Sequence, residues 1–514
     1  MKNQPAGIGK ALSLALVAGL YVATFYSTNN LTLLQPASLG LVFAVIVGAA
    51  LITVLAVRVL LTLLGLKRWL DVATVFAVCL LLMVLLRPAF IGVDGVDQFF
   101  AWFGGKKSVL ANALFVVVPA TGLSLVFKRY PEKLMIILGV MTVAAVLLNA
   151  YKIRDSFRGV LVTQGTNQHY DRLTISKTPN VYFILTDGYA SNAYLRQENI
   201  DNNAFISFLK QQEFTIYDDT FSNYHPTVYA LPAILNMEHN YYRLSGESLD
   251  FSEVNKASRL LIAGDNNVTK IFKRNGYTSQ YIHGANYLLL QGCRADYCFP
   301  QSNGLGGAKM LFSGIFRMNL LSNDDLSLLK VPDDELVTQI KRLNAKPEPK
   351  PKFQYIHYFS PGHAPGNLIG RCDTAKEKTR YVENLYKANR LLKDMISAIL
   401  AKDPDAVVML AGDHGPFIAN RCHPLKHIER LADYRDRVGA FLAVRWPPSY
   451  TGRFDESIST GVNWFRYLLA ELVDNNQGLL DTKQKDDVFA RAGRRTLQII
   501  EDGQPMNEPQ YVEK

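Results

Sequence analysis

The sequence predicts a multi-span α-helical membrane domain followed by an α/β domain with a mostly parallel central sheet. Long runs of Leu, Val and Ala are confined to the first part of the chain, where charged residues are sparse. From residue 180 onward, short apolar runs alternate with helical patterns, and Asp or His follows several of them. The predicted organisation is a membrane domain (1–151), a linker (152–179), an α/β domain (180–480) and a polar, partly disordered tail (481–514).

Five apolar runs are predicted to form membrane-spanning helices. A helix needs about 20 mainly apolar residues to cross the bilayer core. The runs lie at 11–26, 39–64, 70–86, 109–127 and 134–150. The first run is short enough to resemble a signal peptide, but it lacks a clear small-residue cleavage site and four further runs follow it. We therefore expect it to remain as a span.

The charges of the connecting loops predict the orientation. Basic residues precede the first run and occupy the second and fourth loops: Lys2, Lys10, Lys67, Arg68, Lys128, Arg129 and Lys133. The first loop, 27–38, carries no charge. The positive-inside rule then places the N-terminus in the cytoplasm, and five crossings place the chain after residue 151 outside. This is the arrangement of a multi-pass protein of the bacterial inner (cytoplasmic) membrane whose α/β domain faces the periplasm or the outside.

The loop at 87–108 is an exception, because it carries Arg87, Lys106 and Lys107 yet is predicted to lie outside. Its aromatic residues are Phe99, Phe100, Trp102 and Phe103. They indicate a segment at the membrane surface. Two interpretations remain open: an ordinary aromatic belt, or a segment that presents lipid to the α/β domain.

The net charge of +10 indicates a protein that interacts with anionic partners. The basic residues are scattered and no nucleic-acid-binding motif organises them. We therefore expect the bilayer surface or an anionic substrate, and not nucleic acid, as the partner.

Four of the five cysteines lie in the predicted α/β domain. Cys79 falls inside an apolar run and is predicted to be a small buried or lipid-facing residue. An even set outside the cytoplasm favours two disulfides, and the absence of a CxxC pair disfavours zinc binding by these residues. Four cysteines allow three connectivities; locality favours Cys293–Cys298 and Cys372–Cys422.

The α/β domain is predicted from five strands and the helical patterns between them. The strands are 181–186, 278–283, 353–359, 406–411 and 439–444, and helical patterns include 379–400 and 463–473. Continuous apolar runs of this length are typical of parallel strands buried on both faces. Functional residues of such sheets follow the carboxyl ends of the strands.

The residues after these strands predict a metal site. They are Asp187, His283, His363, Asp413 and His414. Asp and His suit Zn or Mn, so we expect one divalent metal ion. Asp187 followed by glycine is by itself typical of a turn. The Gly-Asp-His-Gly stretch at 412–415 is more specific, because the flanking glycines allow a tight turn that aims both side chains at one ion.

Four motifs occur in a fixed order: VYFILTDG at 181–188, NYHPTVYALPAIL at 223–235, YIHYFSPGHAPG at 355–366 and VVMLAGDHGP at 407–416. Together they resemble the alkaline phosphatase superfamily, in the branch of lipoteichoic acid synthases and lipid A phosphoethanolamine transferases, over about 180–447. The resemblance implies a sulfatase-like (alkaline phosphatase-like) fold. That branch is also similar in joining a five-span anchor to an outward catalytic domain.

The resemblance implies a role for each matching residue. Asp187 matches the acidic metal ligand after the first strand, where the branch usually has Glu. Thr227, five residues before a proline, matches the nucleophile, which coordinates the metal. The pair Asp413 and His414 matches the remaining metal ligands, and His363 matches the histidine that contacts phosphate.

Other family features are matched only in part. His283, followed by Gly284, resembles a substrate-binding stretch of the headgroup pocket, but the Trp and Arg expected shortly after it are not clearly present. No Cys for conversion to formylglycine, as in sulfatases, occurs around Thr227. Phe359 stands where two-metal members have Asp, which favours a single metal ion.

The function implied is metal-dependent transfer of a phospholipid headgroup, phosphoglycerol or phosphoethanolamine, through a phospho-threonine intermediate. The partners would be a phospholipid donor, a glycan or glycolipid acceptor, and the bilayer. Two alternatives stay open: a phosphodiesterase or phosphatase that uses water, and a non-catalytic envelope-assembly protein. His423 and His427 would share one face of a helix, as a second metal or substrate site or as a polar surface pair.

Overall fold

The structure, a computed structural model, describes residues 6–29, 36–90, 94–103, 108–163, 170–239, 258–290, 292–301, 305, 307–308, 311–312, 330–345, 348–363, 373–418, 431–474, 477–492 and 495–511. The chain divides into two compact units. The helical unit comprises Met1–Arg158 and Asn303–Leu328, and the sheet unit comprises Gly159–Ser302 and Leu329–Lys514.

Six α-helices of the described residues lie in the helical unit, although the last of them continues beyond Arg158: α1 Ala6–Asn29, α2 Pro36–Leu63, α3 Leu70–Phe90, α4 Asp94–Trp102, α5 Val109–Arg129 and α6 Pro131–Thr163. Each of the five apolar runs lies in a helix, as predicted. Among the described residues, four helices are long and apolar enough to cross a membrane: Ile8–Ser27, Ala37–Leu63, Lys67–Arg87 and Val109–Arg129. The crossing by α6 stays a prediction. This helix also runs on through the first part of the predicted linker.

Small residues let α1 and α2 approach each other closely. The buried stripe of α1 recurs every three or four residues: Ala11, Leu14, Ala15, Ala18 and Val22. At Gly19, an added Cβ would lie 3.1 Å from the Cα of Val47 on α2. Small side chains at such an interface are how apolar helices pack when burial from water does not drive them together. Cys79 of α3 is buried and unpaired, as expected.

The aromatic segment at 99–103 lies in and just after a helix. Phe100 of α4 is fully buried, and the guanidinium of Arg87 lies 5.4 Å from the centre of its ring. Phe99 contacts both Phe103 and Phe115, whereas Trp102 is exposed. Arg87 is therefore a buried residue in the last turn of α3 and not a free charge of the loop, which weakens the exception to the charge rule.

Seven strands form the main sheet of the sheet unit: β1 Val181–Thr186, β2 Phe214–Tyr217, β3 Thr278–His283, β4 Tyr297–Phe299, β5 Lys352–Tyr358, β6 Val407–Gly412 and β7 Leu442–Arg445. Their order is β2-β7-β6-β1-β5-β3-β4. Only β7 runs antiparallel to its neighbours, β2 and β6. The prediction of a mostly parallel central sheet is confirmed, and all five predicted strands are present within three residues at each end. The sequence reasoning missed β2 and β4, which are short edge strands.

The sheet lies between two layers of helices: α7 Asn192–Gln197, α8 Asn203–Gln211, α9 Thr227–Asn236, α10 Asn267–Arg274, α11 Asp333–Asn344, α12 Thr374–Leu400, α13 Leu431–Val438, α14 Gly461–Leu472 and α15 Gln477–Asp481. Phe183 and Leu185 of β1 pack with α9, α10 and α14. Tyr182 and Ile184 pack on the other face with α7, α8, α11 and α12. Both faces of β1 are buried, which explains why its sequence is an unbroken apolar run.

Part of the predicted polar tail forms a sheet, which the sequence reasoning did not identify. Strands β8 Val488–Ala492, β9 Arg495–Glu501 and β10 Gln504–Tyr511 pair antiparallel in the order β10-β9-β8. Val488, Ile499 and Ile500 pack with Val438 and Phe221. The apolar residues that hold this sheet are few and are spread among polar ones, so composition alone suggested a tail.

Candidate metal centre

The carboxyl ends of the neighbouring strands β6, β1 and β5 lie together at one edge of the main sheet. Asp187 follows β1, and Asp413 and His414 follow β6 at its side. The backbone continues to be paired beyond the strands: Asp187 N–H donates to Tyr358 O at 3.0 Å, and Asp413 N–H donates to Thr186 O at 3.0 Å. These bonds fix the directions in which the two carboxylates leave the sheet.

Thr227 is the first residue of α9 and is almost fully buried. Its Oγ1 donates a hydrogen bond of 2.7 Å to Asp413 Oδ2 and lies 3.4 Å from His414 Nε2. The first turn of a helix presents backbone N–H groups and the positive end of its dipole, which favour negative charge there. The hydroxyl thus stands where an anion is stabilised, beside a carboxylate that accepts its hydrogen bond.

His414 presents an unprotonated nitrogen to three oxygens. Its Nδ1 lies 2.8 Å from the carbonyl oxygen of Gly415 and must donate, because a carbonyl only accepts. In the neutral ring, Nε2 then carries the lone pair. Burial lowers the pKa of His414 to about 4, which keeps the ring neutral near pH 7.

Three oxygen atoms lie at the same distance from the unprotonated nitrogen of His414. His414 Nε2 lies 3.4 Å from Asp187 Oδ1, from Asp413 Oδ2 and from Thr227 Oγ1. Bond lengths of about 2.0–2.2 Å to zinc place tetrahedral ligands about 3.3–3.6 Å apart. Within the described part of the chain, no hydrogen-bond donor reaches the buried Asp187 Oδ1. The 2.7 Å hydrogen bond from Thr227 is shorter than this spacing, so those two atoms would separate slightly around an ion.

The two carboxylates are costly to ionise without a cation. Burial raises the pKa of Asp187, and the charge of Asp413 raises it further. Burial also raises the pKa of Asp413 to about 6, against the opposing effect of the Thr227 hydrogen bond. A divalent ion between them would offset both charges, so the electrostatics agree with the geometry.

His363 stands beside this set. Its ligand atom and those of Asp187 and His414 all lie within 4.8 Å of one another, a grouping that could hold a metal ion. The sequence predicts that His363 contacts phosphate, and this position at the edge of the cluster suits either role.

An aromatic ring that the sequence reasoning missed forms one wall of the centre. Phe417 stacks on His414 with ring centres 4.7 Å apart, and it also contacts His363 at 5.0 Å. The guanidinium of Arg437 lies 4.2 Å from the centre of the same ring. Phe417 lies two residues after the Gly-Asp-His-Gly stretch and could have been noticed there. No signal in the sequence pointed to Arg437, which lies on α13.

Gly412 and Gly415 are needed for close approach of the backbone. A Cβ at Gly412 would lie 2.2 Å from Tyr189 O, and one at Gly415 would lie 2.4 Å from Asp436 O. We expected these glycines to permit a tight turn. The contacts indicate that they also let two neighbouring segments close around the Asp-His pair.

The loop before Thr227 is held by the C-terminal sheet. Asn223 Nδ2 donates to Asp487 O at 2.8 Å, and Phe489 N–H donates to Asn223 O at 2.9 Å. The ring of Phe489 stacks on Tyr224 with centres 5.4 Å apart. Residues that we predicted to be a tail therefore support the position of the nucleophile candidate.

His283 lies apart from the cluster, inside the sheet. It ends β3, which is separated from β1 by β5, and its ring contacts Tyr355 and His357. It is fully buried, burial lowers its pKa to about 3, and its ring nitrogens have no hydrogen-bond partner in the described part of the chain. Its role in substrate binding stays a prediction. The neighbouring buried His357 was missed.

One predicted disulfide is confirmed: Cys293 and Cys298 are bonded, with Cα atoms 5.9 Å apart. The other predicted residues, Cys372 and Cys422, lie outside the described residues, as do His423 and His427.

Comparison with known proteins gives one family and several distant structural likenesses. The sulfatase family model matches residues 179–470, over half of the chain. No curated protein sequence matches. The C-terminal periplasmic domain of EcEptC from Escherichia coli, in complex with Zn, is 11% identical with a TM-score of 0.41, covering 62% of this chain and 92% of its own.

Two further structures are similar at the same level. The C-terminal periplasmic domain of phosphoethanolamine transferase EptC from Campylobacter jejuni is 13% identical with a TM-score of 0.37, covering 60% of this chain and 96% of its own. The integral membrane protein lipooligosaccharide phosphoethanolamine transferase A from Neisseria meningitidis is 13% identical with a TM-score of 0.37. It covers 94% of this chain and 97% of its own. Likeness of this degree assigns no activity.

Proposed function

The chain belongs to the sulfatase family, and from that premise we propose that it is a membrane-anchored phosphotransferase with Thr227 as its nucleophile. The proposed reaction moves a phospholipid headgroup, phosphoglycerol or phosphoethanolamine, to an envelope glycan or glycolipid. The observation that carries the proposal is the 2.7 Å hydrogen bond from Thr227 Oγ1 to the buried Asp413, beside an unprotonated His414 nitrogen.

A hydroxyl in this position suits phosphoryl transfer better than sulfate-ester hydrolysis by formylglycine. The segment NYHPTVYALPAIL has no cysteine or serine to convert, and its aliphatic hydroxyl is that of Thr227. A threonine hydroxyl is a weak nucleophile by itself and needs a base or a metal to activate it.

Asp187, Asp413 and His414 would hold one divalent ion together with Thr227. When bound, the ion supplies positive charge that favours the ionised hydroxyl and offsets charge on the phosphoryl oxygens. The three separations of 3.4 Å from His414 Nε2 suit zinc, and the same nitrogen and oxygen donors also suit manganese.

The residues of the chain account for the two steps. Thr227 Oγ1 directs its proton toward Asp413 Oδ2, so its lone pairs are free to face phosphorus. Attack forms the bond from Oγ1 to phosphorus and breaks the bond from phosphorus to the diacylglycerol oxygen, which leaves with a proton. A hydroxyl oxygen of the acceptor then bonds to the same phosphorus, the bond from phosphorus to Oγ1 breaks, and the proton released by the acceptor hydroxyl balances the one that Oγ1 regains. His363, at the edge of the cluster, is placed to contact the phosphoryl oxygens.

The test is the intact mass of the full chain after incubation with phosphatidylglycerol or phosphatidylethanolamine in detergent and zinc. We expect an adduct of one headgroup, mapped to Thr227 by peptide analysis, and release of diacylglycerol. The mass of the adduct identifies the headgroup. If the adduct is lost when a glycolipid is added and the headgroup is then found on the glycolipid, the result supports transfer. If the adduct is lost in water without any acceptor, the protein is a hydrolase.

Thr227→Val should form no adduct, and Thr220→Val provides a matched control. Thr220 is also a buried threonine, but its hydroxyl donates to Ala440 O away from the metal centre. An adduct that persists in Thr227→Val, or the absence of any adduct in the unmodified protein with both lipids, would contradict the proposal.

A further inference from the structure

Phe417 has an unusual backbone conformation for its residue type. Its φ is 58°, in the left-handed region, where the Cβ of an L-residue crowds the following carbonyl oxygen. A bulky aromatic residue in this region is under strain, and strained residues of this kind cluster at functional sites. The conformation therefore points to a role for the side chain.

The buried Asp436, on α13, holds this stretch of backbone in place. Phe417 N–H donates to Asp436 O at 3.0 Å, and Ile418 N–H donates to Asp436 Oδ1 at 2.8 Å. The hydroxyl of the buried Tyr194 donates to the same carboxylate oxygen at 2.6 Å. Asp436 thus fixes the amides on both sides of the Phe417 Cα, and these bonds offset the cost of the strained conformation.

The ring of Phe417 fixes what a hydrogen bond leaves free in His414. The bond from His414 Nδ1 to Gly415 O, at 2.8 Å, anchors one edge of the imidazole. A single hydrogen bond still tolerates a tilt of the ring, because its energy falls off gradually with angle. Phe417 covers the face of the imidazole with ring centres 4.7 Å apart and planes 11° apart. A tilt would break this stacking, so edge and face together set the direction of Nε2.

The ring of Phe417 is itself held by its neighbours. Its centre lies 5.0 Å from that of His363 and 5.6 Å from that of His225. The guanidinium of the buried Arg437 lies 4.2 Å from the same centre. The attraction between a cation and an aromatic ring is strongest where water is excluded. Arg437 follows Asp436 directly, so α13 supplies both the backbone contacts and the cation.

We propose that Phe417 is a positioning residue of the metal centre: its ring, held by Asp436 and Arg437, sets the plane of His414 so that Nε2 faces the ion. This inference rests on the proposed metal site. Groups that orient a ligand from outside the ligand set typically change metal affinity by about 10- to 100-fold. Here that orienting group is an aromatic face.

The test measures the zinc affinity of the full-length protein in detergent, by competition with a chelator. Phe417→Leu keeps an apolar side chain but removes the flat face, and should weaken zinc binding by about ten-fold or more. Phe272→Leu is the matched control, because Phe272 is also buried and stacks on Phe353, near the start of β5, with centres 4.6 Å apart. It should leave zinc affinity unchanged. An equal loss in both variants would overturn the proposal.

A second variant separates the ring from the backbone. Phe417→Gly also removes the ring, but glycine adopts the left-handed conformation without strain. If disturbance of the backbone caused the loss in Phe417→Leu, the glycine variant would bind zinc normally. We expect it to lose affinity as the leucine variant does. Normal zinc affinity in either variant would overturn the proposal.

The adduct at Thr227 shows whether Phe417 acts through His414 or on the substrate. Adduct formation in Phe417→Leu should return close to that of the unmodified protein as zinc approaches saturation, whereas Thr227→Val should not recover. A rate that stays low at saturating zinc would overturn the positioning role. Absence of zinc binding in the unmodified protein would overturn the metal site and this inference with it; normal binding by Phe417→Leu overturns the inference alone.

Discussion

Thr227 is the first residue of α9, and its hydroxyl contacts the buried pair Asp413 and His414, which lies far from it in the sequence. We predict that Thr227→Val lowers headgroup release by a factor on the order of 10³ or more, because the attacking oxygen is removed. Thr227→Ser keeps an oxygen at Oγ and should retain measurable activity. The check is the rate of diacylglycerol release from labelled phospholipid. Equal rates in the Val and Ser variants would point to another nucleophile.

The ionised carboxylate of Asp413, proposed to bind the metal ion, lowers the stability of the fold when no metal is bound. Its pKa is raised from about 3.8 to about 6 in the fold, so the ionised carboxylate is less favourable in the folded protein than in the unfolded chain. This corresponds to about 3 kcal/mol of lost stability in the metal-free protein at neutral pH. The loss is present above a pH of about 6, shrinks as the pH falls, and vanishes below about 4, where both states are protonated.

We therefore predict that Asp413→Asn raises the melting temperature of the metal-free protein at a pH of about 7.5, and does so much less at a pH of about 4. The check is thermal unfolding after chelation, at both pH values. Adding zinc should stabilise the unmodified protein and have little effect on Asp413→Asn. A variant less stable than the unmodified protein at both pH values would show that the lost hydrogen bonds outweigh the buried charge.

At the scale of the elements, the end of β6 is the least tolerant of change. Gly412→Ala brings a Cβ within 2.2 Å of Tyr189 O, so the backbone must move and carry Asp413 with it. We expect a loss of about 1–3 kcal/mol in the free energy of unfolding and weaker zinc binding, measured by denaturant titration and metal analysis. Gly478→Ala is the control, because no atom lies within 4 Å of its added Cβ. Equal behaviour of the two variants would show that the close approach is not needed.

The C-terminal sheet should matter for catalysis although it contributes no atom to the metal centre. Phe489→Ala removes the ring that stacks on Tyr224, and large-to-small core changes of this kind cost about 3–5 kcal/mol. We expect slower adduct formation at Thr227 at a temperature where the variant remains folded. Tyr386→Ala, which removes an exposed aromatic residue from α12, is the matched control. An unchanged rate in Phe489→Ala would show that the loop before Thr227 keeps its position without this contact.

At the scale of the whole molecule, the orientation in the membrane can be tested directly. A cysteine introduced at Lys67, between α2 and α3, should be protected from an impermeant thiol reagent in intact cells. A cysteine at the exposed Gln301, in the sheet unit, should react. Both should react after permeabilisation, which checks that each site is accessible. Labelling of the Lys67→Cys variant in intact cells would reverse the predicted orientation.

The sequence predicted the parts of the fold that depend on strong local patterns. The unbroken apolar run at 181–186 located β1 with correct ends, and β3 was also predicted with correct ends although its sequence, TSQYIH, is partly polar. The motif order predicted that Asp187, Thr227, Asp413 and His414 would meet. The metal itself and the assignment of these residues as ligands remain proposals that the spacing supports.

What the sequence did not reveal depends on contacts between distant segments. The short strands β2 and β4 are defined by their partners and not by their own composition. The sheet at the C-terminus has too few apolar residues to stand out, and Arg437 reaches Phe417 only through the fold.

The stacking of Phe489 on Tyr224 also means that the loop before Thr227 gains its support late in protein synthesis. A ribosome delivers β8 long after it has delivered the loop and α9. Until then the loop lacks the stacking ring of Phe489 and the two hydrogen bonds of Asn223, one from its side chain to Asp487 O and one from Phe489 N–H to its carbonyl oxygen. If Thr227 is the nucleophile, as proposed, a nascent chain that already contains it is expected to be inactive toward lipid until the last strands have paired.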